Sequence, residues 1–252
     1  MSDDTVLNER VVLITGAAHR IGATIATTLH AEGMKVVLHY RNSASAARAL
    51  AAELNAARPD SVVTVQGDLL DIARLPAVVE EAANAWGHID VLVNNASTFY
   101  PTQVGEVNET QWEELIGSNL KAPFFLAQAA APHLRQAEGC IVNIVDIHAD
   151  RPLKGYPVYS IAKAGLVMLT KALAKELGPA VRVNAVAPGA ILWPENANEL
   201  DSAAQQEIIS RTALKRRGEP MDIARAVRFL VRDALYMSGQ VLTVDGGRTL
   251  HH

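Results

Sequence analysis

The chain has 252 residues, of which 49% are hydrophobic and 20% charged, with a formal net charge of −4. That length suits one large α/β domain or two small ones, and the mild acidity gives no sign of binding to nucleic acid or an anionic membrane. A single cysteine, Cys140, excludes an intrachain disulfide and a thiolate metal cluster, so no metal site is expected.

The first ten residues, MSDDTVLNER, are polar and acidic, unlike a secretory signal. No apolar run approaches the ~18 residues of a membrane span, and a cytoplasmic protein is expected. Apolar, β-branched runs recur at 11–15, 35–40, 62–66, 91–95, 141–145, 181–187 and 240–244. Helical periodicity fills the gaps at 21–32, 45–57, 75–86, 112–134 and 158–177. Strands apolar on both faces, alternating with helices, predict one doubly wound parallel sheet of about seven strands covered on both sides. Residues 1–252 then form a single domain. Thr110 to Glu113 reads as a capping box opening the helix of Trp112. Gly33 and Gly178 stand where glycines follow helix ends. The least regular segment, 190–220, is expected to form a lid near the carboxyl edge of the sheet.

The first strand runs into Thr15-Gly-Ala-Ala-His-Arg-Ile-Gly22 and then a helix. Such a turn can bring backbone N–H groups and a helix N-terminus against a pyrophosphate; a tight turn with nothing bound is the plainer alternative. Arg20 in this loop could fork onto a phosphate or onto an acceptor of another ligand. A carboxylate at the end of the second strand would favour NAD; the chain has His39-Tyr-Arg-Asn-Ser43 instead. Arg41, Asn42 and Ser43 can all donate to a 2′-phosphate, which favours NADP(H), although Arg41 alone could be a solvated loop residue.

Tyr159 and Lys163, four apart, share one face of the helix expected at 158–177. Asp146 ends the strand before it. A phenol near an ammonium and a carboxylate is a plausible acid–base device; a chance surface pair and a loop-capping aspartate are the bland readings.

TGAAHRIG, Asp68, Asn94-Asn-Ala96, Asn119, Tyr159-x-x-x-Lys163, Pro188-Gly189 and Val244-Asp-Gly-Gly247 together resemble the short-chain dehydrogenases/reductases over nearly the whole chain. The family usually has glycine where Arg20 stands and serine where Asp146 stands. Both departures resemble the pteridine reductases, as do His39-Tyr40, the segment Asn94-Asn-Ala-Ser-Thr-Phe-Tyr-Pro101, and Gly155-Tyr156. The resemblance implies a Rossmann-like fold, NADPH as cofactor, a pterin or folate as substrate, and a homotetramer. It implies proton delivery by Tyr159 and Asp146, with Lys163 stabilising the phenol's anion and holding the nicotinamide ribose, and Asn119 joining a water-mediated proton path. Asn119 is expected to point inward, continuing a face that carries Trp112 and Ile116. Implied cofactor contacts are Gly16, His19, Arg20, Ile21, Tyr40, Arg41, Asn42, Ser43, Asp68, Leu69, Asn95, Ala96, Ser97, Pro188 and Gly189. Phe99 would sandwich the pterin against the nicotinamide, with Ser97 and Arg20 donating to it. Tyr156 would line the cleft, and Trp193 would close over the substrate or simply pack in the core. A generic ketone or quinone reductase and a non-catalytic NADP-binding regulator are the alternatives.

Overall fold

Strand β1 (Val11–Ile14) is buried at every residue because its two faces enter two different cores. Val12 and Ile14 pack in one with Ile25 and Leu29, while Val11 and Leu13 pack in the other with Val78 and Leu126. The computed structural model describes residues 7–193 and 201–251. After β1 come α1 (Arg20–Ala31), β2 (Lys35–Tyr40), α2 (Ala44–Ala57), β3 (Val62–Gln66), α3 (Leu75–Asn84) and β4 (Val91–Asn94). The second half holds α4 (Glu109–Ile116), α5 (Ala122–Gln136), β5 (Cys140–Ile144), α6 (Pro157–Leu177), β6 (Arg182–Pro188), α7 (Ser202–Ser210), α8 (Pro220–Arg232) and β7 (Val241–Val244).

The strands form one parallel sheet in the order β3-β2-β1-β4-β5-β6-β7. Helices α1 and α8 cover one face and α3 and α5 the other. Burying each Leu or Ile of these cores contributes roughly 1.5–3 kcal/mol, which is why the strands read as unbroken apolar runs. The order reverses between β1 and β4, and at such a switch point the carboxyl ends of the strands open into a crevice. No described helix is long and apolar enough to cross a membrane.

Four local expectations need correction. The box that opens α4 lies two residues earlier than Thr110: the Asn108 side chain accepts from the Gln111 N–H at 2.9 Å, and the Gln111 side chain accepts from the Asn108 N–H at 3.1 Å. Asn and Gln satisfy the same two orphan donors as Thr and Glu would. Trp112 is 41% exposed, since α4 buries only Leu115. The helical run 112–134 is broken by a π turn at Gly117–Lys121, closed by the Ala122 N–H on the Gly117 carbonyl. Gly178 ends α6 in extended backbone, φ −68° and ψ 151°, as suits a residue before Pro179; Gly33, at φ +95°, is left-handed as expected. Within the expected lid, 202–210 is the regular helix α7, capped by Asp201, while 194–200 lies outside the described residues.

Candidate active site

Two adjoining cavities of about 590 Å³ and 490 Å³ occupy the crevice, sharing Arg20, Ile21, Asn95 and Ser97. The smaller lies over the ends of β1, β2 and β3. Gly16, His19, Tyr40, Arg41, Asn42, Ser43, Asp68, Leu69 and Ala96 line it. The larger, over β5 and β6, gathers Phe99, Asp146, Tyr156, Tyr159, Lys163, Pro188, Gly189 and Trp193. Of the site residues expected from sequence, Asn119 alone lies behind the walls.

The loop after β1 is braced from three sides. Asn95 Nδ2 donates to the carbonyls of Thr15 (2.9 Å) and Gly16 (3.0 Å), and Thr15 Oγ1 accepts the N–H groups of Asn95 and Ala96, both at 3.0 Å. From β2, the buried His39 accepts the Gly16 N–H on Nδ1 at 3.3 Å, while its Nε2 meets the Gly67 carbonyl at 3.1 Å. Burial pushes the His39 pKa down to about 4, so the ring stays neutral and can make both bonds. A Cβ on Gly22 would sit 2.4 Å from the Gly16 carbonyl oxygen and 2.6 Å from Asn95 Nδ2. Gly22→Ala is therefore expected to displace the loop and weaken dinucleotide affinity at least tenfold, as a shift of about 1.4 kcal/mol or more; titration of NADPH by fluorescence checks it.

The loop has the form of an anion cradle. Helix α1 begins with no side-chain cap and no acidic residue in its first turn. The N-terminal N–H groups of such a helix can receive a phosphate. Arg20 opens that helix with φ +54°, a left-handed backbone that disfavours a side chain and explains why glycine suits this position. Its guanidinium donates to the Trp193 carbonyl at 3.1 Å, tying the loop to the far wall, and Arg217 lies 5.7 Å over the Trp193 ring. Arg41, at the mouth of the smaller cavity, pairs with Asp68 at 3.1 Å, with both half-exposed.

In the larger cavity the Tyr159 hydroxyl donates to Asp146 Oδ2 at 2.8 Å. The other oxygen, Oδ1, accepts the His148 N–H at 2.8 Å and starts a short 3-10 turn. Lys163 Nζ lies 5.6 Å from the Tyr159 ring centroid and donates to the Ile144 carbonyl at 3.0 Å. Burial and then the Asp146 charge and hydrogen bond raise the Tyr159 pKa well above 10, with Ser97 pulling weakly the other way. In this state the phenol is a firmly protonated donor, and stabilisation of its anion by Lys163 does not dominate. Burial also lowers the Lys163 pKa to about 8, against the attraction of Asp146.

Asn119 sits in the π turn, fully buried. Its Oδ1 accepts from Ser97 Oγ at 2.7 Å, and Nδ2 donates towards the carbonyls of Thr98 (2.9 Å) and Leu115 (3.0 Å). Asn119 thus takes the Ser97 proton, while the Tyr159 proton goes to Asp146. Phe99 stacks on Tyr156 with ring centroids 4.6 Å apart and turns an edge contact to Tyr159 at 4.8 Å. His148 and Arg248 also line this region and were missed in the sequence, and His39 was noted there only as a strand end, not as a brace of the loop. Arg248 had the plainest signal, following directly on the closing Gly246-Gly247 pair.

A glycine-braced cradle at a switch point, next to a Tyr–Asp–Lys cluster, defines a dinucleotide-dependent oxidoreductase. Residues 16–249 match the family model described as enoyl-(acyl carrier protein) reductase, and the chain belongs to the short-chain dehydrogenase/reductase family, whose members use NAD(P)H. It is 38% identical to pteridine reductase 1 of Leishmania tarentolae, covering 95% of this chain and 96% of that one. Identity to the 3-oxoacyl-(acyl-carrier-protein) reductase FabG of Staphylococcus aureus is 36%, over 93% and 96% of the two chains. The 3-oxoacyl-(acyl-carrier-protein) reductase of a Synechocystis species is also 36% identical, over 98% and 99%.

Proposed function

We propose that the protein is an NADPH-dependent pteridine reductase, converting a dihydropterin of the dihydrobiopterin or dihydromonapterin type to the tetrahydro form. The observation that carries this reading is the 2.8 Å bond from Tyr159 to Asp146 inside the larger cavity. A carboxylate here would repel the oxygen of a ketone as it gains negative charge, but it suits a ring nitrogen that must receive a proton. Oxidised pterins and dihydrofolate share that ring and fall within the same chemistry.

The α1 N-terminus and the loop of Gly16 to Gly22 would hold the pyrophosphate of NADPH, and Arg41, Asn42 and Ser43 would take its 2′-phosphate, with Asp68 and Leu69 lining the same cavity. NADPH, when bound, supplies a hydride. Tyr159 and Asp146 hold the proton that the substrate nitrogen takes, so that C=N becomes CH–NH with one hydride and one proton added. Lys163 keeps a positive charge under the pair as the proton leaves and would bind the nicotinamide ribose. Asn119 and Ser97 supply the polar path behind Tyr159. Phe99, backed by Tyr156, offers a ring for stacking a flat heterocycle. Arg20 and Trp193 close the cavity rim. Exposed apolar side chains on α5 and α6 (Phe124, Ile161 and Met168) support assembly into a homotetramer.

The similarity to 3-oxoacyl reductases favours a second reading, a ketone reductase that tolerates Asp146. Oxidation of NADPH and NADH with dihydrobiopterin, dihydromonapterin and 3-oxoacyl thioesters separates the two. Turnover of a pterin with NADPH is expected; turnover of a thioester and of no pterin would sink the proposal.

A further inference from the structure

Beyond the relay, the larger cavity holds a cation that the proposed chemistry does not use. Arg248 lines it beside Asp146 and His148. The guanidinium is partly buried, and no side-chain hydrogen bond or ion pair engages it among the described residues. Five N–H donors in a planar fork facing a cavity can serve an oxygen acceptor of a ligand. Asp146 does not satisfy them: its oxygens accept from Tyr159 and the His148 N–H, and no hydrogen bond or ion pair joins it to Arg248 among the described residues. Its charge is nevertheless felt at Arg248, opposing the downward push of burial on the arginine's pKa.

The backbone holds Arg248 in place from both sides. The Asp245 carboxylate accepts the N–H groups of Gly247 and Thr249, both at 2.8 Å. Gly247 is left-handed at φ +77°, and a Cβ on it would lie 2.7 Å from that of Ala213, so the turn requires glycine there. Downstream, the Arg151 guanidinium donates to the His251 carbonyl at 2.7 Å, tying this turn to the loop that carries Asp146 and His148. An unmatched guanidinium carried on a braced turn is placed to take an oxygen acceptor.

We propose that Arg248 is a substrate-binding residue whose guanidinium takes an acceptor oxygen of the substrate, so that the cavity offers a carboxylate and a guanidinium to one ligand. The inference rests on the pteridine reading, which narrows the oxygen to two sources: the ring carbonyl of the pterin, or a carboxylate on its tail. An Asp–Arg pair of this kind reads a heterocycle bearing both N–H and C=O groups, and gives a simple ketone much less to bind.

Steady-state kinetics of the wild type, Arg248→Gln and Arg248→Lys with dihydrobiopterin and with dihydrofolate provide the test, alongside NADPH affinity. Arg248→Gln should raise KM roughly tenfold or more, as for loss of a charge-assisted hydrogen bond, with kcat and NADPH affinity little changed and Arg248→Lys recovering part. A rise with both substrates assigns the ring carbonyl; a rise with dihydrofolate alone assigns the tail carboxylate. Unchanged KM for both, or an equal loss of NADPH affinity, overturns the proposal. If the wild type reduces a 3-oxoacyl thioester and no pterin, the functional reading fails separately. The same variant on the thioester then decides whether Arg248 anchors a substrate oxygen: a tenfold rise in KM retains that role and no change removes it.

Discussion

Lys163→Met is expected to cut turnover by roughly two orders of magnitude or more, the scale of a lost proton-transfer group, while leaving the protein as stable at pH 7 as before. Lys163 is 2% exposed, and burial holds its pKa at about 8 against an ordinary 10.5. A folded pKa below the unfolded one means that the native state binds fewer protons between those values. Stability therefore rises with pH from about 8 to 10.5, and the charged lysine costs most below 8. The difference of about 2.5 pH units corresponds to a burial cost on the order of 3 kcal/mol, which methionine removes. Against this, the Ile144 carbonyl loses its donor, at about 1–3 kcal/mol. Urea midpoints at pH 7 and pH 9.5 check the sign: the wild type should gain on its variant at the higher pH. Parallel curves would mean that Lys163 is not held at a lowered pKa.

Asp146→Ser should reduce dihydropterin turnover roughly ten- to a hundredfold, at the lower end of general acid–base contributions, and should shift the basic limb of its pH profile. After burial, Asp146 is the main cause of the raised Tyr159 pKa, through its charge and its hydrogen bond. Serine removes the charge and leaves only burial, so the phenol loses its proton at lower pH. The turn itself should survive, because a serine oxygen can also accept the His148 N–H. Rate–pH profiles for a pterin and a 3-oxoacyl thioester in both proteins decide the matter. A pterin rate that does not change would reduce Asp146 to a cap on its turn.

The architecture was legible because burial on two faces leaves a simple mark. Runs such as 35–40 and 62–66 match β2 and β3 end to end, and the other strands differ from expectation by a residue or so. The crevice residues were legible mainly through the resemblance to the family's motifs; spacing alone only put Tyr159 and Lys163 on one helical face and Gly16 after a strand. Long-range contacts without local pattern were not. Nothing near His39 says that its ring will brace Gly16, and nothing near Arg248 says that its turn will be tied to the loop after β5. The π turn escaped because a wide turn has no compositional signature, so a 3.6-residue count carried from Trp112 to Asn119 assigned the right burial to Asn119 and the wrong one to Trp112. Substrate choice is the least legible part: similar identity joins the chain to a pteridine reductase and to 3-oxoacyl reductases, and the divergence rests on a few side chains, Asp146 foremost.

The π turn also says where this helix is brittle. Five residues, Gly117 to Lys121, span a loop of chain that an α-helix would close with one fewer. Each residue added to or taken from a helix rotates its downstream part by about 100°. The position of Asn119 behind Ser97 is thus set by a count of residues more than by their chemistry. Exchanging a neighbour such as Lys121 leaves that count intact, whereas excising any of the four other than Asn119 would swing either Asn119 away from Ser97 or α5 off the sheet.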